Sequence, residues 1–216
     1  GMTDLLLART GLESQDRDYI QTIDRSGEML LGLINDVLDF AKIDAGKLSL
    51  EAVPFDLLNE VNLTIALLDA KAQAKAIGLE YSIQDTIKHD FQSGSPSVLL
   101  GDGLRLRQIL LNLLGNAVKF TDRGQVRLDI TGLPKVNLQQ TKPQQTKSNI
   151  IYSITFRVID SGIGMSKPQI DRLFQPFVQA DSSIQRRYGG TGLGLVISQQ
   201  LVSQMGGQLQ VTSELG

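Results

Sequence analysis

The sequence predicts an α+β protein in which a long helical segment leads into a region that mixes strands with helices. An unslipped heptad over residues 20–41 points to the first part, and alternating apolar segments from residue 48 onward point to the second. The helix of Leu104 to Thr121 adds an anomaly: one side of an otherwise apolar surface carries amides.

Composition bounds what such a chain can do. Of the 216 residues 41% are hydrophobic, enough for a globular core. The formal net charge of -2 gives no general attraction to nucleic acid or anionic membrane. With no cysteine and a single histidine, His89, disulfides, thiolate chemistry and a zinc centre are excluded as themes. No apolar run reaches the roughly 18 residues that a membrane helix requires.

The opening MTDLLLAR is already helical in pattern and reads as the tail of a longer segment. After Thr10-Gly11 a second helix is expected from Ser14 to about Ala45. Its seam, Ile20, Ile23, Gly27, Leu30, Ile34, Val37 and Ala41, alternates steps of three and four. Tyr19, Leu31, Leu33, Leu38 and Phe40 lie outside the seam, and one helix cannot bury both sets alone. A hairpin paired with its twin in a four-helix dimer would bury them; a single helix packed on its own domain would bury only one. Gly46 is placed to end the helix.

Leu48 to Phe55 alternates as a strand, and Asp56 caps a helix to about Ala76 with Leu57, Val61, Ile65 and Leu68 inward. Leu79 to Ile83 and Val98 to Leu100 read as strands, separated by a polar loop that holds His89. Gly101-Asp102 caps the amide-bearing helix. Gly124 to Thr131 and Ile150 to Ile159 alternate as an antiparallel pair, with the Gln/Lys/Thr-rich segment 133–149 as a long hairpin loop. A short helix from Lys167 to Leu173, a helix from the glycine run to about Met205, and a strand from Leu209 to Thr212 complete the chain.

Arg105, Gln108, Asn112, Asn116 and Lys119 share one face of the Leu104–Thr121 helix. Asparagine is a poor helix former because its amide competes for the backbone, so two of them suggest a face that looks into a polar pocket. Two glycine motifs could complete that pocket. In Gly189-Gly190-Thr191-Gly192-Leu193-Gly194-Leu195, bare N–H groups and a following helix start suit phosphate. No strand leads into it and no Gly-Lys-Ser/Thr follows, so it matches neither the dinucleotide fingerprint nor a Walker loop. In Asp160-Ser161-Gly162-Ile163-Gly164-Met165, a strand-end carboxylate could accept from adenine's amino group, or could simply form an Asx turn. Asn116 can offer a neutral oxygen to Mg²⁺, and Lys119, Arg186 and Arg187 can neutralise a phosphate tail.

The ordered set resembles the catalytic core of a sensor histidine kinase, of the hybrid type among others, in the GHKL (HATPase) superfamily. LRQILLNLLGNAVKFT resembles the N box, DSGIGM the G1 box, LFQPFVQ the F box and GGTGLGL the G2 box. TIDRSGEMLLGLINDVLDFAKIDAGKLSLE resembles the second helix of the dimerisation and phosphotransfer domain with its link.

The resemblance implies a two-layer α/β sandwich of the Bergerat type, with a mixed sheet backed by helices, preceded by a partial helical hairpin. Residues 1–47 would be the hairpin and residues 48–216 the ATP-binding domain. Asn116 would hold Mg²⁺, Asn112 would face the phosphates, Lys119 and Arg187 would touch the phosphate tail, and Asp160 would hold adenine. Gly162 and Gly164 would leave room for the base. Gly190, Thr191, Gly192, Leu193 and Gly194 would line the phosphates, and Gln179 to Tyr188 would form an ATP lid. ATP and Mg²⁺ are the implied cofactors. A homodimeric partner and a response-regulator receiver domain are the implied partners, with no nucleic acid and no membrane contact, in the cytoplasm.

Gyrase-, MutL- and Hsp90-like relatives keep a water-activating glutamate where this chain has Asn112, and an amide cannot take a proton at neutral pH. Transfer of the γ-phosphate to a histidine is therefore the implied reaction, with an ATP-binding sensor or scaffold module as the alternative and a pure dimerisation module as the third. The family's H box would lie just before GMTDLLL and its G3 box after Gly216, so the phosphoacceptor is expected elsewhere. His89 is not a candidate for it.

Overall fold

The computed structural model describes residues 1–7, 12–84, 98–135, 151–178 and 192–215. A short helix α1 (Met2–Leu7) precedes α2 (Ser14–Asp44), and the Thr3 hydroxyl donates to Asp24 across the pair. The 31 residues of α2 match the expected helix almost to the residue, and Gly46 follows with φ 63°, a left-handed conformation that suits glycine. Much of its apolar surface is bare in the single chain: Ile23 is 63% exposed, Leu30 59% and Leu31 63%. Only the C-terminal end is covered, where Ile43 is buried.

Strand β1 (Val53–Asp56) is half the length that alternation predicted. It pairs antiparallel with β3 (Val98–Gly101), and the ladder ends at Val53↔Gly101 because the partner turns into a helix there. Beyond that point the Glu51 amide donates to the Asp102 carboxylate at 3.1 Å instead of to a strand. Helix α3 (Leu57–Ala74) begins at Asp56, whose side chain accepts from the amides of Leu58 and Asn59. Such a cap stabilises a helix by about 1 kcal/mol. Leu57, Val61 and Leu68 point inward as expected, joined by buried Glu60 and Thr64, and Ile65 is half-buried. Arg107 reaches the Glu60 carboxylate at 2.8 Å, which gives this buried charge a partner.

Strand β2 (Gly78–Ile83) runs parallel to β4 (Gln125–Lys135), which pairs antiparallel with β5 (Ile151–Asp160). The result is a mixed three-stranded sheet in the order β2-β4-β5 beside the two-stranded β1-β3 pair. Strand β4 extends four residues past the expected Thr131, so Leu133 to Lys135 belong to the ladder opposite Ser153 to Ile151 and not to the hairpin loop. The rest of that loop, and His89, lie outside the described residues.

Helix α4 (Gly103–Phe120) packs across the sheet beside α3. Its Leu110 and Leu114 meet Val126, Leu128 and Ile130, all fully buried, and together they centre the core. The intervening Arg127 and Asp129 face outward, as a half-buried sheet dictates. Helix α5 (Lys167–Ile170) is a single turn rather than the seven residues expected. Ser166 and Gln169 form a capping box at its start, and i to i-3 turns replace the helix after Ile170. Helix α6 (Gly194–Gln204) follows. A second apolar cluster joins its Ile197 and Leu201 to Ile109 of α4 and Ile43 of α2. Residues 209–212, expected as a strand, have no ladder with any described strand. Just beyond them Ser213 accepts from the Met165 amide, and Glu214 lies against Gly164.

Candidate functional site

The polar face of α4 divides in two. At its N-terminal end Arg105 lies 3.0 Å from Asp39 of α2, and Gln108 donates to the same carboxylate oxygen at 2.8 Å. The Gln108 oxygen accepts from Arg105 at 2.7 Å, which closes a three-membered cluster. These two residues therefore dock the helical segment onto α4. The T-shaped contact of Phe40 with Phe177, ring centroids 6.2 Å apart, and the burial of Ile43 extend the same joint.

The C-terminal half carries the amides. The Asn112 nitrogen donates to Ser198 of α6 at 2.8 Å, and the Asn116 nitrogen donates to the Asn112 oxygen at 3.3 Å. Both asparagines are half-buried, whereas Ser198 is buried. The carboxamide of Asn112 occupies the space that a Cβ on Gly194 would need. Gly194 is the first residue of α6, so the amide face meets a helix N-terminus where Leu193, at the cap position, supplies no side-chain acceptor. One turn on, the Lys119 ammonium lies 4.9 Å from the centre of the Phe120 ring. Burial pushes its pKa below the ordinary lysine value, because desolvation disfavours the charged form.

Asp160 ends β5, exposed, beside the C-terminus of α4. One carboxylate oxygen accepts from the Gly162 amide at 2.9 Å, so the Asx turn is formed, and it holds the carboxylate in one direction. The two glycines of this loop are explained by the chain's own backbone. A Cβ on Gly162 would meet the Phe120 carbonyl at 2.7 Å, and one on Gly164 (φ 66°) would collide with the Glu214 carbonyl. The room expected there for a base is taken at those two Cβ positions by protein. Gly192 (φ 71°) adopts a conformation that favours glycine, and a Cβ there would lie 3.1 Å from the Phe177 carbonyl carbon.

The structure thus brings Asn112, Asn116 and Gly194 together, with Lys119 on the same helix face and Asp160 and Gly162 at that helix's end. Arg186, Arg187, Gly190, Thr191 and the rest of the expected lid lie outside the described residues. Sequence reasoning missed Ser198 and Lys75. Lys75 donates to the carbonyls of Val118, Lys119 and Thr121 at 2.9, 2.6 and 3.1 Å and so caps the C-terminus of α4. Neither sits in a motif, and the Lys75 contacts span more than 40 residues of sequence, so no local signal marks them. An open groove of about 660 Å³ on the outer sheet face, lined by Glu80, Arg127, Asp129 and Arg157 among others, lies across the sheet from the amides.

Among the described residues no group of three or more Asp, Glu, His or Cys side chains could hold a metal ion. A metal at the amides would take one neutral oxygen from Asn116 and fill its shell with water and ligand oxygens. That donor set fits Mg²⁺, which dehydrates reluctantly and favours phosphate oxygens.

The chain belongs to the histidine kinase-, DNA gyrase B- and HSP90-like ATPase family, whose profile matches residues 101–216. The His Kinase A (phospho-acceptor) domain profile matches residues 1–46, which makes the chain a catalytic core of the sensor histidine kinase type. Over 214 residues it is 42% identical to the signal transduction histidine-protein kinase BarA of Escherichia coli K12, covering 99% of this chain and 21% of that protein. It is 39% identical to hybrid signal transduction histidine kinase A of Dictyostelium discoideum, covering 100% of this chain and 9% of that one. The chain therefore spans only about a fifth of the first of these relatives and about a tenth of the second. Among solved structures, full-length ShkA in complex with AMPPNP matches with a TM-score of 0.69 and 33% identity, over 100% of this chain and 39% of that one. No helix among the described residues is long and apolar enough to cross a membrane.

Proposed function

We propose that this chain is the ATP-binding kinase core of a two-component sensor histidine kinase and delivers the γ-phosphate of ATP to a histidine supplied by an H box. The only histidine in the 216 residues is His89, which lies outside any such box. The observation that carries the reading is the placement of Asn112, a neutral amide, directly against Gly194 at the start of α6. A helix N-terminus favours phosphate, and the side chain facing it cannot deprotonate water. The γ-phosphate is then kept for a protein nucleophile: an imidazole nitrogen forms the N–P bond as the bond from phosphorus to the ADP oxygen breaks. In such transfer the protein positions groups and offsets charge.

Asn116 would hold Mg²⁺, which screens the phosphate charge when bound. Lys119 would face the phosphate tail together with Arg187, and the Asp160 carboxylate, aimed by its Asx turn, would accept from adenine. Gly190, Thr191, Gly192, Leu193 and Gly194 would bring backbone donors to the phosphates. Residues 1–47 would form part of a dimerising hairpin, since the bare Ile23, Leu30, Ile34 and Val37 are a surface that a second copy would cover. The phosphate would pass on to a receiver domain of a response regulator, in the cytoplasm where ATP is supplied.

The test mixes the chain with a separate acceptor domain that carries the H box, in radiolabelled ATP and Mg²⁺. Label on the acceptor histidine is expected. ATP binding without label on a folded acceptor at high concentration would replace the kinase reading with that of an ATP-binding scaffold.

A further inference from the structure

The ladder of β4 and β5 ends where one acceptor replaces another. Its last pair is Val126↔Asp160, so the next residues in register are Gln125 and Ser161. Residues that face each other at a hydrogen-bonded position of an antiparallel pair exchange two backbone bonds. One of the two is made here: the Ser161 amide donates to the Gln125 carbonyl at 3.2 Å. The other is diverted. The Gln125 amide donates to the Ser161 hydroxyl at 3.0 Å, where a longer ladder would use the Ser161 carbonyl. The direction of that bond is fixed, because a backbone N–H only donates. The hydroxyl proton faces the carbonyls of Arg123 at 3.2 Å and Gln125 at 3.3 Å, and a carbonyl only accepts. Gly124 leaves room for the arrangement, since a Cβ there would collide with the Ser161 oxygen.

The diversion decides where the next peptide points. Val126 is fully buried beneath α4, and cross-strand partners share a face, so the Asp160 side chain stands on the α4 side of the sheet. The Gly162 amide meets its carboxylate at 2.9 Å. That amide and the Ser161 carbonyl belong to one peptide plane and point in opposite directions. A Ser161 carbonyl aimed along the sheet at Gln125 would turn the Gly162 N–H along the sheet the other way, off a side chain that stands above it. The two bonds therefore exclude each other. By taking the Gln125 amide, the hydroxyl releases the peptide to turn toward Asp160.

We propose that Ser161 is a positioning residue: its hydroxyl ends the ladder in place of the backbone, keeps the Gly162 amide on Asp160, and so fixes that carboxylate for the exocyclic amine of adenine. This rests on the reading of Asp160 as the adenine acceptor, and goes beyond it by naming what holds the acceptor in line. Ser161 acts only through Asp160. Without the hydroxyl the Gln125 amide takes the carbonyl of residue 161, the ladder gains a pair, and the carboxylate loses its tether.

The test measures binding of two diphosphates to the full chain by calorimetry: ADP, and purine riboside diphosphate, which lacks the exocyclic amine. The quantity read is the preference for ADP, in the wild type, Ser161→Ala, Ser161→Thr and Asp160→Ala. Ser161→Ala should cut that preference about fivefold, the worth of one hydrogen bond, and Ser161→Thr, which keeps the hydroxyl, should restore most of it. A general loss of stability would weaken both ligands alike and leave the ratio in place. A full preference in Ser161→Ala, with the preference lost in Asp160→Ala, overturns the positioning role and leaves the adenine acceptor standing. Equal affinity of the wild type for the two ligands, or a preference kept in Asp160→Ala, overturns the acceptor and the proposal with it. A second measurement needs no nucleotide: the Gly162 amide proton resonance should move upfield in Ser161→Ala, as its bond to Asp160 is lost, and return in Ser161→Thr. A Gly162 amide unmoved in Ser161→Ala overturns the inference.

Discussion

The two halves of the α4 polar face have the same periodicity and opposite fates. At one end Arg105 and Gln108 converge on a single carboxylate, Asp39, and the surface is closed by another helix. At the other end Asn116 bonds to Asn112 and Asn112 to Ser198, and the face meets the N-terminus of α6. What separates them is residue chemistry. A guanidinium and a long amide reach out to a charged partner, whereas two short amides satisfy part of their bonding locally and retain the rest.

The sharpest way to break this division is Asn116→Ala. If its oxygen holds Mg²⁺ as proposed, its removal should weaken Mg²⁺-dependent nucleotide binding by about 100-fold, or ~3 kcal/mol, by calorimetry. An unchanged affinity would mean that the open half holds no metal. Next is Asp39→Ala, which leaves Arg105 and Gln108 without their shared acceptor. A loss of about 2 kcal/mol in urea unfolding is expected, with nucleotide affinity kept within about twofold. A collapse of nucleotide binding in that variant would show that the two halves are one site.

Lys75→Met probes the end of the same helix from behind. It removes a donor shared by three terminal carbonyls and should cost about 1 kcal/mol in unfolding, with a smaller effect on binding. The smallest effect expected is in pH dependence. Burial lowers the Lys119 pKa in the folded chain below 10.5. Between that lowered value and 10.5 the unfolded chain binds the proton and the folded chain does not, so stability rises with pH through the window. Lys119→Met should flatten that rise in denaturation curves recorded from about pH 8 upward. A stability that falls with pH in the wild type, but not in the variant, would reverse the assigned cause.

The amide face was legible because residue type and spacing both reside within 18 contiguous residues. The order of helices and strands was legible for the same reason. What escaped depends on partners distant in sequence. Alternation through Leu48 to Ala52 suggested strand, but a strand lasts only as long as its neighbour, and β3 stops at Gly101. Residues 209–212 lacked a ladder for a related reason: alternation describes a surface, and pairing requires a second chain segment. Ser198 sits in a helix whose pattern marked it only as one more small residue. Its hydrogen-bond partner, Asn112, lies 86 positions earlier. The heptad over residues 20–41 was visible, but the packing of Phe40 on Phe177 and of Ile43 against α6 was not, because a heptad says nothing of partners distant in sequence.

One carboxylate ties the connecting strip to the start of α4. Asp102 accepts from Arg105 with one oxygen and from Glu51 with the other. The first bond starts α4, and the second fastens the connecting strip to the same point. Helix α2 is itself anchored through Asp39, so the chain between residues 45 and 50 is a short strap clamped at both ends. The strap joins the end of α2 to the first turn of α4, whose far end carries the amides.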